Sequence, residues 1–275
     1  MLSNASRAEF DIGRTRAGRA MDAVGHALRA ALPQACALCA APSGGALLCE
    51  ACARDMPRID PACPRCALPS PDGHECGACL AKPPPFAATI AAWRYAFPAD
   101  QLLQSFKYGG RLALAVPFAL ALEAAVRARV DVTSPRRVIA LPLSSRRQRE
   151  RGFNHAHEIA RRLAARLHWP LVRGFLRTLD APPQAGLTLR ERARNVRNAF
   201  ASPPLDGASV AIVDDVMTTG ATLRAAALAA IAAGATRVEV WVVARTIQES
   251  GIRDQVSRID PRIADGAGIP ADNGD

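Results

Sequence analysis

Beyond residue 86 the apolar positions fall into two alternating rhythms. Unbroken apolar runs, Val138-Ile139-Ala140-Leu141 and Val210-Ala211-Ile212-Val213, read as strands buried on both faces. Val238, Val240 and Val242 mark a further strand over 237–244, and Trp93, Tyr95 and Phe97 alternate with other residues as in a short one. Between these runs the spacing turns helical: 100–107, 111–129, 154–168 with Ile159, Leu163 and Leu167 on one face, and 220–233. Strand, helix and strand with short connections predict an α/β domain over residues 86–246, a parallel sheet with flanking helices. Ligands of such sheets bind at the carboxyl ends of the strands, which points to the loops after Leu141 and Val213.

Before residue 86 the pattern is set by cysteine. All eight Cys lie in four Cys-x-x-Cys pairs, Cys36/Cys39, Cys49/Cys52, Cys63/Cys66 and Cys76/Cys79, separated by nine, ten and nine residues. Two thiolates on one tight knuckle grip one face of a tetrahedral ion, and a second knuckle closes the other. Four such pairs therefore read as a small module with two structural tetrathiolate zinc sites over residues 34–82. Regular spacing favours sequential pairing, though a cross-braced arrangement uses the same residues. A disulfide framework is the competing use of eight Cys, and nothing in the sequence indicates an oxidising compartment. His74 beside the last knuckle reads as a surface residue, since the thiol count is already complete. Lys82-Pro83-Pro84-Pro85 reads as a stiff connector and a natural domain boundary.

The 275 residues suffice for one or two domains, and 49% hydrophobic residues exclude wholesale disorder. No apolar run approaches the length of a membrane span. Residues 1–30 lack the continuous apolar core of a secretory signal, and 1–33 are expected to be an N-terminal extension. Arg7, Arg14, Arg16 and Arg19 give them some of the look of a transit peptide, but a flexible extension is the plainer expectation. Residues 247–275, polar and rich in Asp, Gly and Pro, read as a disordered tail. A cytoplasmic location is expected. The net charge is +10, and Lys82 and Lys107 are the only lysines among 35 basic residues. Arginine suits bidentate phosphate contact, but Arg with abundant Ala and few Lys is also what GC-biased coding produces. The local excess is more specific: ten Arg against Glu150 and Glu158 between Arg136 and Arg173 suggest a polyanionic ligand.

The most informative segment is 210–223. An apolar strand runs into Asp214 and Asp215, followed by Thr218-Thr219-Gly220-Ala221-Thr222 at the start of a helix. A helix N-terminus offers unpaired N–H groups to a phosphate, Gly lets the backbone approach, and Thr hydroxyls add donors. The two carboxylates are placed to accept hydrogen bonds from ribose hydroxyls. An Asp pair alone is more often a helix cap; the whole string has the order that a 5-phosphoribosyl group needs.

That string resembles the phosphoribosyl-diphosphate (PRPP) motif of type I phosphoribosyltransferases. The chain over residues 36–246 resembles one subgroup, the ComF competence family. It carries the eight-Cys double zinc ribbon and Phe106-Lys107-Tyr108-Gly109. It also carries Pro142-Leu143 with Arg149-Glu150-Arg151-Gly152-Phe153-Asn154, and Gln184, Leu187, Arg192, Asn195, Ala199 and Phe200 in order. After Gly152-Phe153-Asn154 the family commonly has Gln where this chain has His155.

The resemblance implies a type I phosphoribosyltransferase-like sheet preceded by the zinc ribbon. It implies PRPP as ligand, held by Val216, Met217, Thr218, Thr219, Gly220, Ala221 and Thr222, with Asp214 and Asp215 on the ribose. It implies a pyrophosphate loop at Leu143–Arg147 in which Ser144, Ser145 and Arg146 hold the leaving group, with Mg²⁺ bridging its oxygens. The segment 184–195 then resembles the loop that closes over the site, bringing Arg190, Arg192 and Arg194 to the diphosphate. The reaction implied is displacement of diphosphate at C1 of PRPP by a nitrogen nucleophile. The family name also implies DNA uptake in natural transformation, with competence-machinery proteins and single-stranded DNA as partners. Arg147, Arg149 and Arg151 are the nucleic-acid candidates, against a plain solvated basic face. Two alternatives to a transferase are a single-strand-binding factor and a PRPP-responsive regulator without catalysis. Lys107 reads equally as a pocket residue or a surface one. His155 and His157 read as surface residues, and Trp169 and Trp241 as packing residues.

Overall fold

The computed structural model describes residues 35–130, 136–178 and 199–247. They divide into two compact units, one reaching to Asp55 and the other beginning at Met56. The expected N-terminal extension, and all but the first residue of the expected C-terminal tail, lie outside the described residues.

The two Cys-rich halves are built on one plan, offset by 27 residues along the chain. In the first, Ala35 bridges Pro42, the Cys36 amide donates to Ala41 O at 2.8 Å, and helix α1 (Glu50–Arg54) begins at the second knuckle. In the second, Ala62 bridges Pro69, the Cys63 amide donates to Leu68 O at 2.8 Å, and helix α2 (Gly77–Ala81) takes the same place. Ala40 and Ala67, equivalent positions, both turn the knuckle with positive φ, 59° and 55°.

The second unit also contains a parallel sheet. Its strands are β1 (Ala88–Arg94), β2 (Arg137–Ala140), β5 (Ser209–Met217) and β6 (Arg237–Arg245), in the order β1-β6-β5-β2. A separate antiparallel pair joins β3 (Leu176–Arg177) to β4 (Phe200–Ala201). The helices are α3 (Ala99–Tyr108), α4 (Ala115–Arg127) after a 3₁₀ turn at Leu112–Leu114, α5 (Ser145–Arg151), α6 (His155–Leu167) and α7 (Ala221–Ala232). Helices α4 and α6 pack on each other and on the sheet, while α7 packs on β5 and β6. Covered strands need apolar side chains on both faces, which is why 210–213 and 238–244 are buried throughout. Each edge strand has amides engaged outside the sheet. Thr89 and Arg94 of β1 donate to Pro64 O and Pro57 O, and Val138 of β2 donates to Pro170 O.

The expected helices and core strands are present within a few residues of their bounds, and three local expectations need correction. First, β5 does not end at Val213. Its ladder with β6 continues through Asp214↔Val242 and Val216↔Ala244 to Met217↔Arg245, so both acids sit inside the strand. Second, 145–147 is helix rather than loop. The Ser144 hydroxyl accepts from the Arg147 amide at 3.3 Å, and Gly152 (φ 76°) closes the last turn in the left-handed conformation that suits Gly. Third, the strand near Trp93 is β1, pairing with β6 through Ala88–Arg94; Tyr95 and Phe97 lie beyond it.

Candidate functional site

A cleft of about 360 Å³ opens where β2 and β5 part company. Strand β2 stops at Ala140, paired with Val213, and the chain turns away into α5, whereas β5 runs on beside β6. One side of 214–217 is thereby left without a neighbouring strand among the described residues. Asp214, Asp215, Thr218–Leu223, Leu141–Leu143, Arg147, Arg151 and Lys107 line the opening. The cleft lies at the carboxyl end of the sheet, where ligands of parallel sheets bind.

Its floor is the turn 218–220 leading into α7. Gly220 caps that helix with φ 75°, and a Cβ there would meet Met217 Cε at 2.5 Å. The first-turn amides of α7 have no intrahelical acceptors and add to the positive end of the helix dipole. Thr218, Thr219 and Thr222 are exposed at this end. Together they form an anion cradle.

Above the cradle stands an acid pair in unlike environments. Asp215 is buried and its Oδ2 lies 3.2 Å from Lys107 Nζ. Asp214 Oδ1 accepts from the Asp215 amide at 2.8 Å. Burial, reinforced by the charge of Asp215, pushes the Asp214 carboxyl up to about 8. A desolvated acid with no cation in direct contact among the described residues is poised to receive hydroxyl donors or a hard cation. Lys107 thus belongs to the pocket.

His155 is a correction: it is fully buried, not on the surface. Its Nε2 lies 3.1 Å from Phe106 O, and a carbonyl only accepts, so Nε2 carries the proton. Nδ1 is then a bare acceptor, with no partner among the described residues. Burial lowers the ring's pKa, which keeps it neutral. The ring packs against Phe106 and Phe153, and the residue lines the cleft. The neighbouring Asn154 has a structural role. It caps α6 by accepting from the His157 amide, and its Nδ2 donates to Leu141 O at 3.1 Å, fastening α6 to the end of β2.

The eight Cys form two sets of four, Cys36/Cys39/Cys49/Cys52 and Cys63/Cys66/Cys76/Cys79, with sulfurs within 4.8 Å of one another in each. The pairing is sequential, not cross-braced, and no disulfide joins them. Cys39–Cys49 and Cys66–Cys76 sulfurs are 3.7 Å apart. That is close to the edge of ~3.8 Å in a tetrahedron with Zn–S of about 2.3 Å. Amides of Cys52 and Cys76 donate to the Cys49 and Cys63 sulfurs, as suits thiolates. Both sets fit structural zinc, with no open coordination position for chemistry.

Among the other residues singled out in the sequence, Val216, Met217 and Ala221 line the cleft. Ser144 accepts a capping bond from the Arg147 amide, which does not use its O–H donor. Arg149 is exposed and lies outside the cleft lining, whereas Arg147 and Arg151 contribute to it. The side chains of Ser145 and Arg146, and the whole of Arg190, Arg192 and Arg194, lie outside the described residues. His74 is exposed, and Trp169 and Trp241 pack in the core with ring centroids 5.6 Å apart.

Two residues carry more than the sequence suggested. Tyr108 is 75% exposed, with the Arg151 guanidinium 5.2 Å from its ring centroid. It stands in a groove of about 410 Å³ that shares Lys107, Arg147 and Arg151 with the cleft. Arg245 is buried at the end of β6, and its only sequence signal is a cation closing an apolar strand.

Comparison with known proteins agrees with this geometry. Residues 27–80 match the double zinc ribbon domain, and residues 149–267 match the phosphoribosyl transferase domain. The DNA utilization protein YhgH of Shigella flexneri is 36% identical over 174 residues, 61% of this chain and 76% of its own length. Competence protein F of Haemophilus influenzae is 29% identical over 60% of this chain and 76% of its own. Competence protein ComFC of Bacillus subtilis is 36% identical over a shorter stretch, 33% of this chain and 36% of its own. With a double zinc ribbon, a phosphoribosyltransferase-like sheet and relatives of that kind, the chain belongs to the ComF competence family.

Proposed function

We propose that the cleft binds PRPP and that the protein serves the handling of DNA taken into the cell. One observation carries the ligand reading. An acid pair, of which only Asp215 has a cation in contact among the described residues, stands directly over a Thr/Gly anion cradle at a helix N-terminus. A 5-phosphate on the 218–222 turn places the ribose hydroxyls at the carboxylates. Arg147 and Arg151 of α5 face the remaining charge. Hard oxygen donors and a carboxyl raised to about 8 fit a divalent cation in the same place. Mg²⁺, when bound with the diphosphate, supplies neutralising charge; Asp214 and Asp215 are the residues that would hold it.

The chemistry such a site supports is ribosyl transfer. A nitrogen nucleophile forms its bond to C1 as the C1–O bond breaks, and the electron pair leaves with diphosphate. The chain's own part is to position the ribose-phosphate and to hold developing charge, through the cradle amides and Arg147 and Arg151 on one side and the carboxylates on the other. Arg190, Arg192 and the Ser144–Arg146 segment remain candidates for the leaving group. Titration calorimetry with PRPP and Mg²⁺ tests the site. Binding that is lost in Asp214→Asn/Asp215→Asn supports it; no heat at millimolar PRPP with wild type rejects it. Diphosphate release across a panel of nucleobases then separates a transferase from a sensor.

A second reading, direct contact with single-stranded DNA, is favoured by the groove at Tyr108. An exposed aromatic ring beside Arg147 and Arg151 offers a base a stacking face and its phosphates two cations. The relatives named for DNA utilization and competence point the same way, and the reading takes the protein to work in the cytoplasm, where thiols stay reduced. Salt-sensitive retention of an oligonucleotide, weakened in Arg147→Ala/Arg151→Ala and in Tyr108→Ala, is expected. Retention indifferent to salt and to these changes removes this reading.

A further inference from the structure

The second four-cysteine cluster and the anion cradle are joined through a single buried side chain, Arg245. Its Nε donates to Cys66 O at 2.9 Å, on the knuckle itself. Its Nη1 donates to Met217 O at 3.0 Å, to Thr218 O, and to Thr246 O at 2.8 Å. Every acceptor is a backbone carbonyl, and the residue is 5% exposed. Desolvating a guanidinium is costly, and the carbonyls that meet this one offset that cost. Thr89 adds a second tie to the same knuckle, with its hydroxyl on Arg65 O at 2.6 Å and its amide on Pro64 O at 2.9 Å.

The consequence for the cradle follows from peptide planarity. In a trans peptide the C=O of one residue and the N–H of the next point in opposite directions. Drawing Met217 O and Thr218 O toward Arg245 turns the amides of Thr218 and Thr219 away from it. Those two residues line the cleft. The guanidinium, with the Thr246 amide that also donates to Met217 O at 3.0 Å, therefore sets the direction of the donors on which an anion depends, and its own position is set by the Cys66 carbonyl on the zinc-binding knuckle.

We propose that Arg245 is a positioning residue that couples zinc at Cys63/Cys66/Cys76/Cys79 to phosphoribosyl binding at Thr218–Thr222. The ligand half of this statement rests on the PRPP reading above. Coupling of two equilibria is reciprocal, so ligand must tighten the zinc by the same factor that zinc tightens the ligand. The first cluster, Cys36/Cys39/Cys49/Cys52, lies in the other compact unit and serves as the internal control.

The test uses the full chain with both zinc ions bound. Zinc is titrated to equilibrium with a zinc-selective chromogenic chelator, with and without PRPP and Mg²⁺. The two transitions are assigned with Cys36→Ser/Cys39→Ser. In wild type, ligand is expected to tighten one zinc about fivefold or more, at the lower end of typical couplings. The tightened zinc is the one that survives in Cys36→Ser/Cys39→Ser, and Arg245→Lys, which keeps the charge but not the fork, loses the effect. PRPP that binds yet leaves both zinc affinities unchanged overturns the coupling. A ligand-free arm stands apart from the PRPP reading: amide exchange over 216–222 is compared in wild type, Arg245→Lys and protein stripped of the second zinc. Faster exchange there in both altered forms supports the strut, and unchanged exchange overturns it. Failure of PRPP to bind would sink the ligand reading alone, leaving the exchange arm to decide on the strut.

Discussion

The two four-cysteine clusters share one sequence pattern and one backbone plan, yet they sit in unlike surroundings. In the first, Cys36 is buried while Cys39 is exposed and Cys49 and Cys52 are half-buried. In the second all four thiols are buried, and the knuckle 63–66 is hydrogen-bonded to β1 and to Arg245. The first cluster belongs to a compact unit ending at Asp55; the second belongs to the unit that carries the sheet and the cleft. A repeated motif thus has two uses. One copy holds its own loop together, and the other is part of the wall behind the anion cradle.

The largest expected contrast is a lesion in each cluster. Structural zinc of this kind supplies on the order of 10 kcal/mol of apparent folding energy. Cys63→Ser/Cys66→Ser should abolish the cooperative melting of the sheet, while Cys36→Ser/Cys39→Ser should leave that transition in place with one zinc fewer. Circular dichroism melts with a zinc count distinguish them, and equal damage from both would erase the contrast. Next is Arg245→Met, which takes the guanidinium from the Cys66 and Thr218 carbonyls and leaves Met217 O to the Thr246 amide. A loss of about 3 kcal/mol is expected by analogy with breaking buried charged contacts, read from urea unfolding. Lys107→Met removes the partner of a buried carboxylate and should cost about 2 kcal/mol in the same measurement. Gly220→Ala forces a left-handed φ and a collision with Met217, for about 1–2 kcal/mol and a larger loss of phosphate affinity. Loss of affinity without loss of stability would mean that the turn relaxes.

A separate effect is in pH. The folded state holds the Asp214 carboxyl up to about 8, above its unfolded value, so ionisation favours unfolding. Its contribution to stability therefore falls as pH rises from the ordinary carboxylate range to about 8, and then levels. Asp214→Asn lacks this loss. The melting temperature of the variant relative to wild type should climb through that window and stay flat below it; a constant offset would place Asp214 in a less desolvated setting.

Much of this was legible in the chain. Apolar runs such as 210–213 announce covered parallel strands, and Cys-x-x-Cys spacing announces tetrathiolate sites because both patterns are local. What was hidden depends on partners distant in sequence. The extension of β5 through Asp214 and Asp215 is imposed by its ladder with β6, against the polarity of the residues themselves. His155 looks like a solvated residue at a helix start until α3 supplies the Phe106 ring and carbonyl that bury it. Arg245 looks like the polar end of a strand, because its acceptors come from residues 66, 217 and 218. The spacing between Ser144 and Gly152 could have announced α5, since a capping hydroxyl and a terminal Gly bracket one short helix.

The most direct measurement is hydrogen exchange of the intact, zinc-loaded protein with and without PRPP and Mg²⁺, resolved over the cleft. Protection concentrated at 214–224, with a smaller change over 141–151, is the result expected if the cradle holds the phosphoribosyl group. Binding that leaves 214–224 unprotected while shielding another part of the chain would contradict it.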